Sequence, residues 1–315
     1  MRYYITGDCH GDFKKIEWFC KYNETTKDDI MIVLGDFGVN YALDRLDIKR
    51  KVKLSKLPLS FLGIHGNHEA RPYEIDTYRQ MVWHGGVVYY EPEYPNILFA
   101  KDGEIYQLGD KKAIAIGGAY SVDKNYRLMV GLPWYEDEQP TAQIKEYVEE
   151  QLERCDWKVD YILSHTTAFV YEPTDLFLNF IDQSRVDKST EMWLSEIERK
   201  TSYDKWYFGH FHENREYANA EMLFEGIKEL GKDKFVQKVG RPQYIKKEIV
   251  MFYYINQGET IEEYGRIEKI NDYGNKGQYH EVSYTIRRFD GTIFENIPES
   301  DVYGFSEKRE DDDTD

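Results

Sequence analysis

The sequence predicts a layered α/β domain followed by a small all-β, SH3-like barrel. Three observations predict it. Apolar runs of strand length alternate with segments of helical period through the first two thirds of the chain. Beyond a basic stretch that begins near residue 231, the pattern changes to short β-type runs separated by Gly- and Asn/Asp-rich turns. The chain has 315 residues, 41% of them hydrophobic and 16% aromatic with 27 Tyr, enough for one large core plus an appendage and too apolar for disorder.

In chain order, residues 2–6 form a short β-type run, and 13–22 set Phe13, Ile16, Trp18, Phe19 and Cys20 in a stretch that favours helix. Residues 30–34 and 59–64 are short buried runs ending in glycine-containing turns. Residues 104–108 and 113–116 flank the Gly109-Asp110 turn as a hairpin. Thr141 follows Pro140 and opens a helix over 141–155, with Ile144, Tyr147, Val148 and Leu152 on one face. Residues 161–163 and 206–208 are strands that each deliver a histidine. The domain is expected over 1–230, and 231–247 reads as a linker with six Lys or Arg against Asp233 alone. The barrel is expected over 248–306, from runs at 249–255, 265–270, 281–288 and 292–297 with turns at 271–275 and 290–291. Residues 307–315 hold six acids and two bases and read as a solvated, disordered tail.

Fifty-eight Asp and Glu against 41 Lys and Arg give a net charge of -17, which repels long nucleic acid. There is no apolar run of membrane-spanning length and no basic-then-apolar leader in the first residues, so a cytoplasmic protein is expected. Three scattered cysteines, Cys9, Cys20 and Cys155, make no disulfide framework.

Five of the eight histidines lie in strand-end turns with Asp or Asn: Gly7-Asp8-Cys9-His10-Gly11, Gly35-Asp36-Phe37-Gly38, Gly66-Asn67-His68-Glu69, Ser164-His165 and Gly209-His210-Phe211-His212. Turns at the carboxyl ends of strands in an open α/β sheet can meet in one crevice. Oxygen and imidazole donors without thiolate suit Mn, Fe, Zn, Co or Ni, and the Asp36 carboxylate can bridge two ions.

In this order the five turns resemble the calcineurin-like metallophosphoesterases over roughly residues 1–230. Any one of these strings is common, whereas the ordered set is specific. The resemblance implies two mixed β-sheets flanked by helices. It implies one divalent transition-metal ion on Asp8, His10, Asp36 and His212, a second on Asp36, Asn67, His165 and His210, and Mn as the leading metal. It makes His68 the acid facing the leaving group and a metal-bridging hydroxide the nucleophile. The Asp8, Asp36 and Trp83-His84-Gly85-Gly86 segments look like the bacterial and phage Ser/Thr-phosphatase-like branch. Protein phosphatases of this kind carry Asp and then Arg where this chain has Val39 and Asn40, so the partner that orients His68 is missing from its usual place; Glu69 and His65 are the substitutes in view.

The irregular stretch 117–140 reads as a lid, with Arg127 as a phosphate clamp shared with the resembled branch. Arg215 is a second substrate-binding candidate. Cys9 should point away from its ligand neighbours into the core, and His84 and His280 read as ordinary histidines. The expected function is hydrolysis of a phosphomonoester on a phosphoprotein or small metabolite. The alternatives are a phosphodiesterase acting on cyclic nucleotides or nucleic acid, and a non-catalytic phosphate-recognising adaptor. The barrel is the expected surface for a protein partner.

Overall fold

The computed structural model describes residues 1–177, 183–237, 244–256, 258–271 and 282–304. The chain forms two compact units, Met1–Val236 and Gln237–Asp315.

In the first unit an eight-stranded sheet runs in the order Phe235–Gln237, Ile227–Glu229, Tyr3–Thr6, Ile30–Val33, Ser60–Gly63, Ile97–Ala100, Gly86–Tyr90, Arg79–Trp83. Its middle four strands are parallel and its flanks antiparallel. A six-stranded sheet follows the order Arg215–Glu216, Ala220–Met222, Lys205–Phe208, Tyr161–Ser164, Lys111–Ile116, Ile105–Leu108, with four parallel strands between antiparallel edges. The hairpin expected at 104–116 is present.

Strand alternation explains the layering. Ile5, Ile32, Leu62 and Leu98 of the first sheet share one buried cluster with Ala113, Ala115, Leu163 and Tyr207 of the second, so the sheets pack face to face. Met31, Val33, Phe61 and Phe99 point the other way, onto Ile16 and Phe19 of helix Lys14–Tyr22 and Leu54 of helix Arg45–Ser55. On the far face of the second sheet, Ile162, Trp206 and Phe208 meet Val148 and Leu152 of helix Ala142–Arg154 and Leu194 and Ile197 of helix Ser189–Lys200. The result is helix, sheet, sheet, helix. Each helix buries only one stripe, and Thr141 caps the third by accepting from Ile144 N.

The linker expected from residue 231 starts too early. Residues 235–237 are the edge strand of the eight-stranded sheet, because Ile227–Glu229 pairs with Tyr3–Thr6 and offers its free edge to a further strand. The stretch 117–140 also holds a helix, Lys124–Val130, ended by Gly131 at φ 74°.

The second unit is a five-stranded antiparallel sheet. Ile249–Asn256, Glu259–Asn271, Ser283–Arg288 and Ile293–Pro298 form a meander, and Val302–Gly304 returns through a 3-10 turn to pair with the first strand. Phe294 of the fourth strand packs 5.0 Å from Phe252 and 4.8 Å from Tyr254 of the first, so the sheet curls over its own core of Val250, Phe252, Ile267, Tyr284 and Ile286. A small all-β unit is present as expected, with Val302–Gly304 the one strand the pattern missed. The tail 307–315, the turn at 272–275, His280 and linker residues 238–243 lie outside the described residues.

Candidate metal centre

Every residue of the expected ligand set follows a parallel strand. Asp8 and His10 come after Tyr3–Thr6, Asp36 after Ile30–Val33, Asn67 and His68 after Ser60–Gly63, His165 after Tyr161–Ser164, and His210 and His212 after Lys205–Phe208. These strands run the same way within each sheet, so their turns gather at one edge of the sandwich. The backbone is bent hard to aim them. His10, Asp36, His210 and His212 all have positive φ, at 47°, 44°, 69° and 55°. Such conformations cost about 1–3 kcal/mol each in a non-glycine residue and concentrate at functional sites.

Glycine makes the close approaches possible. A Cβ on Gly66 would stand 2.1 Å from Asp36 Oδ1, and one on Gly209 would stand 2.3 Å from Asp8 Oδ1. Each carboxylate then spends one oxygen on the backbone: Asp36 Oδ1 accepts from His68 N at 2.8 Å, and Asp8 Oδ1 from His210 N at 2.9 Å. The other oxygens face imidazole. Asp36 Oδ2 is 3.7 Å from His165 Nε2 and 3.8 Å from His10 Nδ1. Asp8 Oδ2, buried and without a hydrogen-bond partner, is 3.4 Å from His212 Nε2 and 3.7 Å from His10 Nε2. Lys15, itself buried, holds the Asp8 turn by donating to Gly7 O, Asp8 O and Phe224 O at 3.1, 2.7 and 2.5 Å.

Burial pushes the Asp8 carboxyl up, but His212, His165 and His10 outweigh it and hold it below the usual carboxylate range. Asp36 is likewise lowered, its burial overcome chiefly by His165 and His68. Burial pushes His210 down to about 3, as a neutral ligand requires. His212 is raised, because Asp8 more than offsets its burial.

Whether these residues fit a metal is decided at His165 and Asn67. His165 Nδ1 lies 2.8 Å from Leu34 O, a carbonyl that can only accept, so the proton of the neutral ring sits on Nδ1. Its Nε2 lone pair then points at Asn67 Oδ1, 2.7 Å away. The amide is oriented by Ser121: the hydroxyl's own proton is engaged by the Glu138 carboxyl, so its Oγ accepts from Asn67 Nδ2 at 2.8 Å. Two acceptors in contact are repulsive; a shared cation makes both of them ligands. His10 Nε2 and His212 Nε2, 2.8 Å apart, converge in the same manner. Donor atoms lie close enough to hold an ion in three overlapping groups: Asp8, His10 and His212; His10, Asp36 and His68; Asp8, Asp36 and His165. The residues fit a pair of divalent cations that share Asp36.

The surrounding residues divide. Arg127 is buried beside this centre, and both its Nη atoms lack partners. Arg215 is committed elsewhere, in a two-bond ion pair with Asp175 at 2.7 and 2.9 Å. Neither substitute for the missing partner of His68 faces its ring. Glu69 accepts from Gly66 N and Gly38 N instead, and both His65 ring nitrogens are buried without partners. The carboxylate that does face it is Asp123, with Oδ1 3.7 Å from His68 Nε2 and otherwise unpartnered. The signal was an acidic residue in the expected lid; its contact across 55 positions was not visible. Cys9 is buried, and burial pushes its thiol up to about 12, so it is an inert core residue. His84 sits in the hairpin turn after Arg79–Trp83, with Nδ1 3.1 Å from Gln107 O.

One solved crystal structure aligns with a TM-score of 0.42 at 14% identity, over 74% of this chain and 96% of its own. The crystal structure of phosphopantetheinyl hydrolase (PptH) from Mycobacterium tuberculosis aligns with a TM-score of 0.38 at 15% identity, over 71% of this chain and 88% of that one. No curated protein matches. Residues 1–214 match the family described as calcineurin-like phosphoesterase, and with two thirds of its length covered the chain belongs to that family of metal-dependent phosphoesterases.

Proposed function

We propose that the protein is a two-metal phosphomonoesterase, with His68 as proton donor to the leaving group, Asp123 as the residue that orients His68, and Arg127 as the phosphate clamp. The observation that carries this reading is the pair of facing acceptors on His165 and Asn67, which a cation reconciles. When bound, a pair of divalent cations, Mn in the leading case, polarises the phosphoryl oxygens and makes solvent the nucleophile at neutral pH.

The chain's own residues supply the rest. Asp8, His10, Asp36, Asn67, His165, His210 and His212 set the positions of the ions. His68 is held by its backbone bond to Asp36 Oδ1, which leaves the ring beside the centre and 5.4 Å from that of His10. Burial pushes the His68 imidazole down, with Asp36 and Asp123 opposing that shift. A lowered pKa makes the imidazolium a readier donor to an alkoxide and reduces its population at neutral pH. Arg127, held through Nε 3.9 Å from Asp123, keeps both Nη groups for phosphate oxygens.

A panel of p-nitrophenyl phosphate, bis-p-nitrophenyl phosphate, phosphoserine peptide and cyclic nucleotide, each with Mn, Ni, Mg and Zn, tests the reading. Turnover of monoesters and loss of it on chelation are expected. Preference for the diesters would replace the phosphomonoesterase with a phosphodiesterase on the same centre. Among the described residues no helix is long and apolar enough to cross a membrane.

A further inference from the structure

Beside His68 the centre opens into a cavity of about 240 Å³ lined by His10, Asp36, Gly38, Tyr41, Arg50 and His68. Arg50 reaches it from helix Arg45–Ser55. Its Nη1 donates to Gly38 O at 2.9 Å and meets Asp47 Oδ1 at 3.2 Å. Asp47 is itself fixed, accepting from Ala42 N and Leu43 N at 2.8 Å each. Both of the guanidinium's contacts therefore use one nitrogen, and the Nε and Nη2 edge has no partner among the described residues. That edge lies against the turn that carries His10: a Cβ on Gly11 would come within 2.3 Å of Nε and 2.4 Å of Nη2.

On the same wall, Tyr41 lies under the Arg127 guanidinium, 5.5 Å from Cζ to the ring centre. Arg127 is 2% exposed, with both Nη groups unpartnered. A buried donor left unpaired is costly, more so when charged, and a bound anion removes that cost. Asn40, where related protein phosphatases carry Arg, is fully buried and accepts from Tyr78 OH at 3.0 Å. The chain thus places Arg127 over the Tyr41 ring and Arg50 on the cavity that Tyr41 also lines, both with unused nitrogens. One phosphoryl group between two metal ions does not need both.

We propose that Arg50, with Tyr41 beside it, forms a second anion subsite, and that the substrate is a phosphomonoester whose leaving group carries another phosphate or a carboxylate. This rests on the phosphomonoesterase reading and narrows it to a substrate class. The reacting phosphate meets the metal ions, Arg127 and His68, while the second anion takes the Nε and Nη2 fork of Arg50 in the two-bond mode that guanidinium favours. Arg50 is then a specificity residue for the leaving group.

The test is equilibrium binding by titration calorimetry to the full Mn-loaded chain, with bound Mn assayed afterwards. The probes are methylphosphonate, which carries one anion, and phosphonoacetate, which adds a carboxylate to the same phosphonate. The wild type should prefer phosphonoacetate by about tenfold or more, the value of one charge-assisted fork. Arg50→Met should bring the two probes within about twofold of each other and leave methylphosphonate binding unchanged. Equal affinities in the wild type, or an undiminished preference in Arg50→Met, would overturn the subsite. If Arg50→Met fails to fold by circular dichroism, Arg50→Lys decides, because it keeps the charge and loses the fork. A reduced preference then supports the subsite and a wild-type preference overturns it. Hydrolysis of p-nitrophenyl phosphate by the same preparations separates the two failures, since a chain that hydrolyses it and shows no probe preference loses only this inference.

Discussion

The two halves of the metal centre differ in burial. Asp36 and Asn67 are each 2% exposed and His165 not at all, whereas the His10 side chain is 34% exposed and that of His212 is 50%. The inner half sits between the sheets, where three of the four donors are fixed by a further bond: Asn67 by Ser121, His165 by Leu34 O, Asp36 by His68 N. On the outer half, His212 is steadied chiefly by stacking on Phe224 at 4.8 Å. A ligand set that is already ordered binds without further loss of side-chain freedom. The inner ion should therefore bind more tightly and leave more slowly than the outer one.

The largest expected effect breaks both halves at once. Asp36→Asn removes the shared carboxylate and should lower metal content below two ions per chain and slow turnover ~10³-fold, on the order of 4 kcal/mol of transition-state stabilisation. Mass-spectrometric metal analysis with steady-state kinetics checks it. His165→Asn and His212→Asn then separate the halves. The first should lose the inner ion and slow all substrates alike. The second should leave about one ion per chain and respond to added Mn, with a loss of about 10- to 100-fold. Identical metal content in the two variants would remove the distinction.

His68→Asn addresses chemistry with the metals in place. Metal content should stay at wild-type level, while phosphoserine turnover falls about 10²- to 10⁴-fold more than that of p-nitrophenyl phosphate, whose leaving group departs unprotonated. Equal losses on both substrates would make His68 a positioning group. Asp123→Asn should reproduce that asymmetry in weaker form.

The smallest effect is a control remote from the centre. Burial pushes the Asp29 carboxyl up, but its bonds to Arg2 and to Thr26 N prevail and hold it at about 2. A folded-state pKa below the unfolded one stabilises the fold above pH ~4, and that contribution is lost as pH falls towards 2. Asp29→Asn should cost about 1–2 kcal/mol at pH 7 after allowing for the exposure of Arg2, and much less at pH 2.5, with metal content unchanged. Denaturant melts at the two pH values check it.

The strand-end turns were legible in the sequence because each carries its ligand next to a glycine that tight geometry demands, and the order of the turns carries information beyond any one of them. The helix Ala142–Arg154 and the hairpin Ile105–Leu108 with Lys111–Ile116 were legible from period and turn chemistry. Helix Arg45–Ser55 was not, because it buries charge in place of an apolar stripe. Lys51 meets Glu91 at 2.5 Å and Asp47 bonds backbone amides, partners that no local pattern reveals. The contacts of Arg50 with Gly38 O and Asp47 are of the same kind. Asp123, Ser121 and Lys15 act on the centre only through contacts made by folding. The edge strand Phe235–Gln237 was hidden by its lysine-rich neighbours, since an edge strand keeps one side in water and tolerates such composition.

Anomalous diffraction from Mn-soaked crystals of the wild-type chain tests the central claim most directly. The account predicts two peaks, one among Asp8, His10, Asp36 and His212 and the other among Asp36, Asn67, His165 and His210, with the outer peak the first to fade when the soak concentration is lowered. A single peak that leaves His165 and Asn67 in contact, or ions bound away from Asp36, would contradict it.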